Sequence, residues 1–401
     1  MHVPKLRIKG YKQDWEEKDF STHAKPYFVS NKLVHHQNLL SLSYGKVIRK
    51  DIKANKGLLP ASFDTYQIVQ DGIIVFRFTD LQNDKKSLRV GLSKEEGIIS
   101  PAYVCVKCED ILPEFLYLQL YSYDLRKVFY SMGDGMRQTL SYNDVKDMKI
   151  YVPSIEEQEK IISYFKDLDT KIDLESKRLN NLKQLKQACL QYLFPHNSDL
   201  EPRLRTKSYT EKWVVSTLSK FAKKSTEKNG SNLYTETFTN SAEYGVINQR
   251  DFFEHDISKE SSIQGYYTIH PDYFVYNPRI SVLAPVGPIN RNKLGRAGVM
   301  SPLYFIFSVN GIDKDFLEQY FKTNLWHSYM LLNGNSGARF DRLSIADDKF
   351  LAMPIVYPKE IREQKEIAQY LINIDIKISK QEQQVGKLKR IKNTCLDKMF
   401  V

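Results

Sequence analysis

The sequence predicts an α+β protein built as two similar mixed α/β heads, each followed by a long helix that packs on the helix of the other copy. Three observations carry that prediction. Blocks of sequence recur in the same order some two hundred residues apart. Within each copy, short runs rich in Val, Ile, Tyr and Phe are bounded by Gly, Pro, Asn and Asp. After each head comes a long stretch with the apolar spacing of a helix seam.

The repeats organise the whole chain. "PKLRIKGYKQDW" (Pro4 to Trp15) returns as "PRLRTKSYTEKW" (Pro202 to Trp213), an offset of 198. "SLSYGKVIRKD" from Ser41 returns as "SAEYGVINQRD" from Ser241, an offset of 200. "YQIVQD" from Tyr66 pairs with "YTIHPD" from Tyr267, and "GIISP" from Gly97 with "GVMSP" from Gly298, both at 201. "EEQEKIISYFKDLDTKI" from Glu156 pairs with "REQKEIAQYLINIDIKI" from Arg362, an offset of 206. Order is kept and the offset drifts in small steps, as in a duplicated domain whose loops have taken insertions. The expected division is 1–153 for the first head, 154–195 for the first helix, 196–357 for the second head and 358–401 for the second helix.

The runs "GIIVFRF", "AYVCVKC", "YFVYN" and "LYFIFSV" read as strands. Helical stretches are expected near Glu114 to Tyr130 and Asp315 to Leu331, so each head is mixed. From Ser154 to Phe194 there is no Gly or Pro, and Pro153 and Pro195 stand at the borders. "SIEE" at Ser154 fits a capping box, with Glu157 at the third helical position.

Alternating steps of four and three select Ile161, Phe165, Leu168, Ile172, Glu175, Leu179, Leu182, Lys186, Cys189 and Leu193. The same register 206 residues on selects Ile367, Leu371, Ile374, Ile378, Gln381, Val385, Leu388, Lys392, Cys395 and Met399. The polar interruptions fall at the same two places, and the apolar members are the expected helix-pairing residues. A helix of about 39 residues is nearly 60 Å long, more than a small head can cover. The other copy's helix is the natural partner.

A net charge of +11 favours a polyanionic partner: DNA, RNA or an acidic membrane face. The longest apolar runs, such as Gly72 to Phe76, are far too short to span a bilayer. The first residues have no apolar core, so no secretory signal is expected. Four cysteines do not make a disulfide framework, and a reducing cytoplasm is the expected compartment.

Two heads at fixed separation on a polyanion describe a ruler, since duplex DNA presents equivalent grooves one turn apart. The frame of the heads recurs while the loops between do not. Arg77 to Glu96 and Pro278 to Ala297 are both basic yet share almost nothing. Loops that differ on a shared frame would read two different half-sites. Arg, Lys, Asn and Gln suit phosphates and base edges. The candidate DNA-binding residues of the first copy are Lys46, Arg49, Lys50, Arg77, Lys85, Lys86, Arg89, Arg137 and Gln138. Those of the second are Asn248, Arg250, Arg279, Arg291, Asn292, Lys293, Arg296, Arg339 and Arg342.

These blocks resemble the specificity subunit of type I DNA restriction–modification systems over nearly the full length. The resemblance rests on the repeated "P-[KR]-L-R…W" block, the "G-x-x-S-P" element and the "P…EQ…I…Y…D…I" helix after each head. It implies that each head is a target-recognition domain reading one half of a split double-stranded DNA sequence. It implies that the two helices form an antiparallel coiled coil that sets the gap, in a pseudo-twofold arrangement. The subunit would bind two methyltransferase subunits carrying S-adenosylmethionine, and two restriction subunits, using ATP and Mg, would complete the nuclease. The departure is Gly386 inside the second helix, where the first has Asn180; it is expected to loosen that helix locally.

No catalytic motif is evident. "NPRI" at Asn277 lacks the second Pro and the aromatic of adenine methyltransferases, and no glycine-rich cofactor loop follows a strand. "GDG" at Gly133 and "GNSG" at Gly334 are turn signals. Glu-x-Lys triplets at Glu175 and Glu363 sit on helices without an acidic strand partner. "CVKC" (Cys105, Cys108) alternates like a strand and reads as buried thiols rather than half a zinc site. His35 and His36 read as surface. The expected chain binds no cofactor or metal itself and is not an enzyme on its own. The rival readings are a self-contained modification or restriction enzyme, which would need a further catalytic domain, and a non-catalytic coiled-coil nucleic-acid-binding or structural protein that dimerises through its helices.

Overall fold

The structure is a computed structural model that describes residues 3–51, 59, 60, 62–79, 81, 87–132, 139–196, 200–230, 232–251, 260–336 and 341–401. It divides into two compact units, Met1–Lys177 with Gln383–Val401, and Arg178–Glu382.

The first unit begins with β1 (Glu16–Asp19), the short helix α1 (Phe20–His23), β2 (Ala24–Pro26), β3 (Leu40–Ser43) and β4 (Lys46–Arg49). It continues with β5 (Gln67–Val69), β6 (Ile74–Phe76), β7 (Val90–Leu92), β8 (Gly97–Ile99) and β9 (Val104–Cys108). Then come α2 (Pro113–Leu125), α3 (Tyr142–Val145), β10 (Lys149–Val152) and the long α4 (Ile155–Tyr192). The central sheet runs β2-β9-β6-β7, antiparallel throughout, with β1 paired to β10, β3 to β4 and β5 to β8.

The run "IVF" of β6 is apolar at every position because both of its faces are covered. Ile74 and Phe76 enter the larger core with Trp15, Phe20 and Phe115, while Val75 enters a separate core with Leu40 and Ile99. A strand alternates its side chains between two faces, and here each face has its own core.

The second unit repeats the plan with β11 (Val214–Thr217), β12 (Ala222–Lys224), β13 (Phe238–Ser241), β14 (Gly245–Asn248), β15 (Tyr267–Ile269) and β16 (Phe274–Tyr276). After β17 (Ile289–Arg291), β18 (Gly298–Met300) and β19 (Phe305–Val309) come α5 (Lys314–Tyr320) and α6 (His327–Asn333). A small pair, β20 (Asn335–Ser336) and β21 (Leu343–Ser344), precedes α7 (Asp347–Leu351), β22 (Pro354–Tyr357) and the long α8 (Ile361–Met399). Its central sheet is β12-β19-β16-β17, with β11 on β22, β13 on β14 and β15 on β18. Phe274 and Tyr276 face one core and Val275 the other, as in the first copy.

The strand registers correct one block alignment. Gln67 pairs with Ile99, and Tyr267 with Met300, so "YQIVQD" and "YTIHPD" are offset by 200 and not 201. The turn after each strand explains why. Gly72 (φ 84°) and Asp272 (φ 64°) hold the same left-handed position, one by lacking a Cβ and the other because Asp tolerates it better than most residues.

Each unit takes half of each long helix. In the first, Ile161 and Phe165 share a core with Cys395, Leu396 and Met399. In the second, Cys189 and Leu193 share a core with Ile367, Leu371 and Ile374. The halves run antiparallel. Tyr164 Oη is 3.3 Å from Cys395 Sγ, and further along α4 Asp169 meets the earlier Lys392 of α8. In the second unit Lys183 meets Glu382 while the later Lys186 meets the earlier Asp375. The seam members are buried or half-buried in both helices.

The two helix starts use their Glu-Gln pair in the same way. Gln158 donates to Pro153 O and accepts the Leu112 amide, fastening α4 to the start of α2. Gln364 donates to Pro358 O and accepts the Asp313 amide, fastening α8 to α5. Glu157 and Glu363 are buried acceptors of a bidentate arginine, Arg7 and Arg205, at 2.8–2.9 Å. This corrects the capping-box expectation. Ser154 Oγ does accept the Glu157 amide at 3.4 Å, but the Glu157 carboxylate goes to Arg7 instead of back to the cap. The "L-R" of each opening block thus exists to neutralise the "E" of the helix that follows. Gly386 does not interrupt α8, which is helical from Ile361 to Met399.

Candidate nucleic-acid interface

The first head presents its described cations on β4 and beyond. Lys46, Arg49 and Lys50 are exposed. Arg49 is held to Glu95, which also accepts from Asn38, and that ion pair keeps the Glu95 carboxyl below the usual carboxylate range. Lys46 and Lys50 have no ion-pair partner among the described residues. Arg77 is half-buried after β6. Lys85, Lys86, Arg137 and Gln138 lie outside the described residues.

Arg89 must be withdrawn as a DNA contact. It is fully buried, its guanidinium donates to Thr79 O at 2.8 Å and to Tyr130 Oη, and its amide donates to Asp124. In sequence it stands among the basic residues of the divergent stretch Arg77 to Glu96. Arg291 is withdrawn for the same reason. It is buried on β17 among Asp272, Asp315 and Glu318, where it balances acidic groups of its own unit. Asn292 is also buried, and its side-chain amide donates to His270 O and Arg296 O.

The remaining second-copy candidates reach the surface. Arg250 and Arg279 are exposed, and Arg279 stands 3.7 Å from Asp341. Arg342 is half-buried. Lys293 pairs with Glu318, Arg296 pairs with Glu236, and Asn248 donates to the same Glu236. Arg339 lies outside the described residues.

Two clefts on the second unit bring some of these candidates together with residues the sequence analysis did not single out. One, about 480 Å³, is lined by Thr239, Asn277, Arg279, Tyr304 and Arg342 among others. The second, about 750 Å³, is lined by Lys186, His196, Asn290, Lys322 and His327 among others. Lys322 lines the larger cleft and is exposed by surface area. Burial, then the neighbouring Lys186, hold its pKa below the ordinary lysine value. Burial likewise lowers His327. Lys186 is already paired with Asp375, and Glu318 and Asp375 also face Lys322, so acids of the same unit partly balance the two lysines. Lys186 was visible only as a polar interruption of the seam, and Lys322 only as one lysine in a helix.

Cys105 and Cys108 lie on β9, and burial pushes both thiols up to about 12, unlike a reactive or metal-bound pair. Among the described residues no three His, Cys, Asp or Glu side chains are grouped to hold a metal ion. No helix among them is long and apolar enough to cross a membrane. His35 is exposed near Asp64, and His36 is half-buried near Glu96.

Comparison with known proteins bears on this surface. Residues 90–184, from β7 into α4, match the family described as "Type I restriction modification DNA specificity domain". That segment is similar to a type I DNA specificity domain. Among solved structures it is similar to the type I restriction-modification system S subunit from M. genitalium, at 12% identity and a TM-score of 0.57, covering 100% of this chain and 99% of that one. It is similar also to a chain from a structural study of complex assembly and conformational transition of the type I R-M system, at 16% identity and a TM-score of 0.55, covering 97% and 98%. At these identities the likeness speaks to the fold. No curated protein matches the sequence. The matched segment runs from a head into its helix, and the second unit repeats the Arg–Glu and Gln contacts at that junction.

Proposed function

We propose that this chain is the specificity subunit of a type I restriction–modification system. In this reading each head binds one half of a bipartite duplex DNA target. The paired helices set the gap between the halves, and the chain directs methyltransferase and restriction subunits to the site. The observation that carries the reading is the specificity domain at 90–184 together with its internal twin: the same sheet order and the same Arg–Glu lock recur in the second unit.

Exposed apolar residues also recur in equivalent places, Leu6 with Leu204, Ile155 with Ile361 and Tyr164 with Tyr370. Two equivalent surfaces of this kind suit two copies of one partner, the methyltransferase subunit. The chain itself would be non-catalytic and cytoplasmic. S-adenosylmethionine would sit on the methyltransferase, and ATP and Mg on the restriction subunits.

The test is methylome sequencing of a host expressing the chain with its cognate methyltransferase. The expected result is one methylated motif of two specified halves and a fixed unspecified gap. Methyl transfer by the purified chain alone, or a continuous motif, would sink the proposal.

A further inference from the structure

Between the two clefts of the second unit stands a tight turn. Ser281 lines the smaller cleft and Leu283 the larger. The turn is closed by Ser281 N donating to Ala284 O and Ala284 N donating to Ser281 O, at 3.0 and 3.1 Å. Its stem is fastened on both sides. Ile280 N donates to Asp341 O, Leu343 N donates to Pro278 O, and Asn277 Oδ1 accepts the Arg279 amide. Gly287 completes it with φ 84°, packed so closely that a Cβ there would lie 2.1 Å from Asn277 O. The tip is therefore well determined, yet its two side chains are aliphatic and out in solvent: Val282 is 96% exposed and Leu283 68%. A rigid turn that holds two aliphatic groups away from every core needs an external partner for them.

The flanks say which partner. Arg279 and Arg342 stand on one side of the tip, in the smaller cleft, and Lys186 and Lys322 on the other, in the larger. Cations on both sides of an apolar point match duplex DNA, whose phosphates flank a groove. The apolar feature inside the major groove is the thymine methyl group.

Resting on the reading above that the chain binds DNA, we infer that Val282 and Leu283 enter the major groove of one half-site and read a thymine methyl. Arg279 and Arg342 on one flank, and Lys322 on the other, hold the adjacent phosphates, while Lys186 stays paired with Asp375. The contact gives the second head a base preference that its buried Arg291 and Asn292 cannot provide.

The experiment uses the full chain and a pool of duplexes with a randomised central region, with the bound molecules sequenced. Wild type is expected to select a two-part motif. The V282S/L283S variant, altered only at exposed side chains and checked for an unchanged melting temperature, is expected to lose preference at an A·T position in one half and keep the other half intact. Replacing that thymine by uracil in a defined duplex should weaken wild-type binding roughly fourfold, the worth of one buried methyl. The same replacement should leave the variant unaffected. A variant that keeps the full motif, or that feels uracil as strongly as wild type, overturns the inference. So does a variant that keeps the motif but loses its methyltransferase, which would make the tip a protein contact. Failure of wild type to select any two-part motif would instead strike at the proposed function.

Discussion

Lys186 Nζ lies 2.5 Å from Asp375 Oδ1, and the equivalent Lys392 lies 2.5 Å from Asp169 Oδ1. These lysines are one of the two polar interruptions in the helix seam. Each helix places a lysine near its C-terminal end and an aspartate near its N-terminal end, so antiparallel pairing satisfies both. A parallel pairing would set lysine against lysine. The ion pairs are partly exposed, so a K186A/D375A double-mutant cycle, read by urea unfolding, should give a coupling of about 0.5–1 kcal/mol. Zero coupling would leave the lysines without a role in orientation.

The buried Arg–Glu locks should matter more. Glu363 accepts both Arg205 and Trp213 Nε1 and is almost wholly buried. R205M strands that carboxylate, and about 3 kcal/mol of stability should be lost. R205M/E363Q should recover a large part of it, since the uncompensated charge is gone. R205K should recover little, because lysine cannot bind both carboxylate oxygens in a fork. A double variant no more stable than R205M would refute this account.

Gly386 offers a gain. A Cβ there meets nothing nearer than Arg390 Nη1, 3.6 Å away, an ordinary contact. G386A should therefore raise stability by about 0.5–1 kcal/mol through backbone entropy and helix propensity. A loss in urea unfolding would mean that the glycine is needed for the helix contact itself.

Asp124 should make stability depend on pH. Burial pushes its carboxyl up to about 6, against the amides of Arg89 and Val90, which favour the charged form. An unfolded aspartate titrates near 3.9. The folded state thus binds the proton more tightly. Its stabilising contribution is complete below about pH 4 and is lost as pH rises through 6. The difference is on the order of 3 kcal/mol. Melting curves from pH 4 to 7 should show this slope in wild type and a flatter one in D124N. Equal slopes would remove Asp124 from the account.

If the paired helices are the ruler, their length should set the gap. A heptad inserted in both, near Glu175 and Gln381, preserves the seam and adds about 10 Å. The unspecified gap should grow by about three base pairs. Activity should fall, because the added base pairs turn one half-site by roughly a third of a turn. Five inserted residues should do worse, since they also break the seam. An active heptad variant with the original gap would show that something else measures it.

The sequence by itself determined the duplication, the strands and the long helices, because each is written in local periodicity or in repeated words. It also showed the seam, whose members are spaced by the helix itself. Only the tertiary structure decided which polar residues face inward. Arg89 and Arg291 look like groove-reading loop cations in one dimension, but Thr79 O and Tyr130 Oη hold the Arg89 guanidinium in the interior, and Asp272 and Glu318 hold that of Arg291. The Arg7–Glu157 lock spans 150 residues and rewrites an apparent capping box. The clefts and the Val282–Leu283 tip depend likewise on segments that meet only in the fold. Burial and charge pairing are properties of neighbours in space, and a chain read along its length gives only neighbours in order.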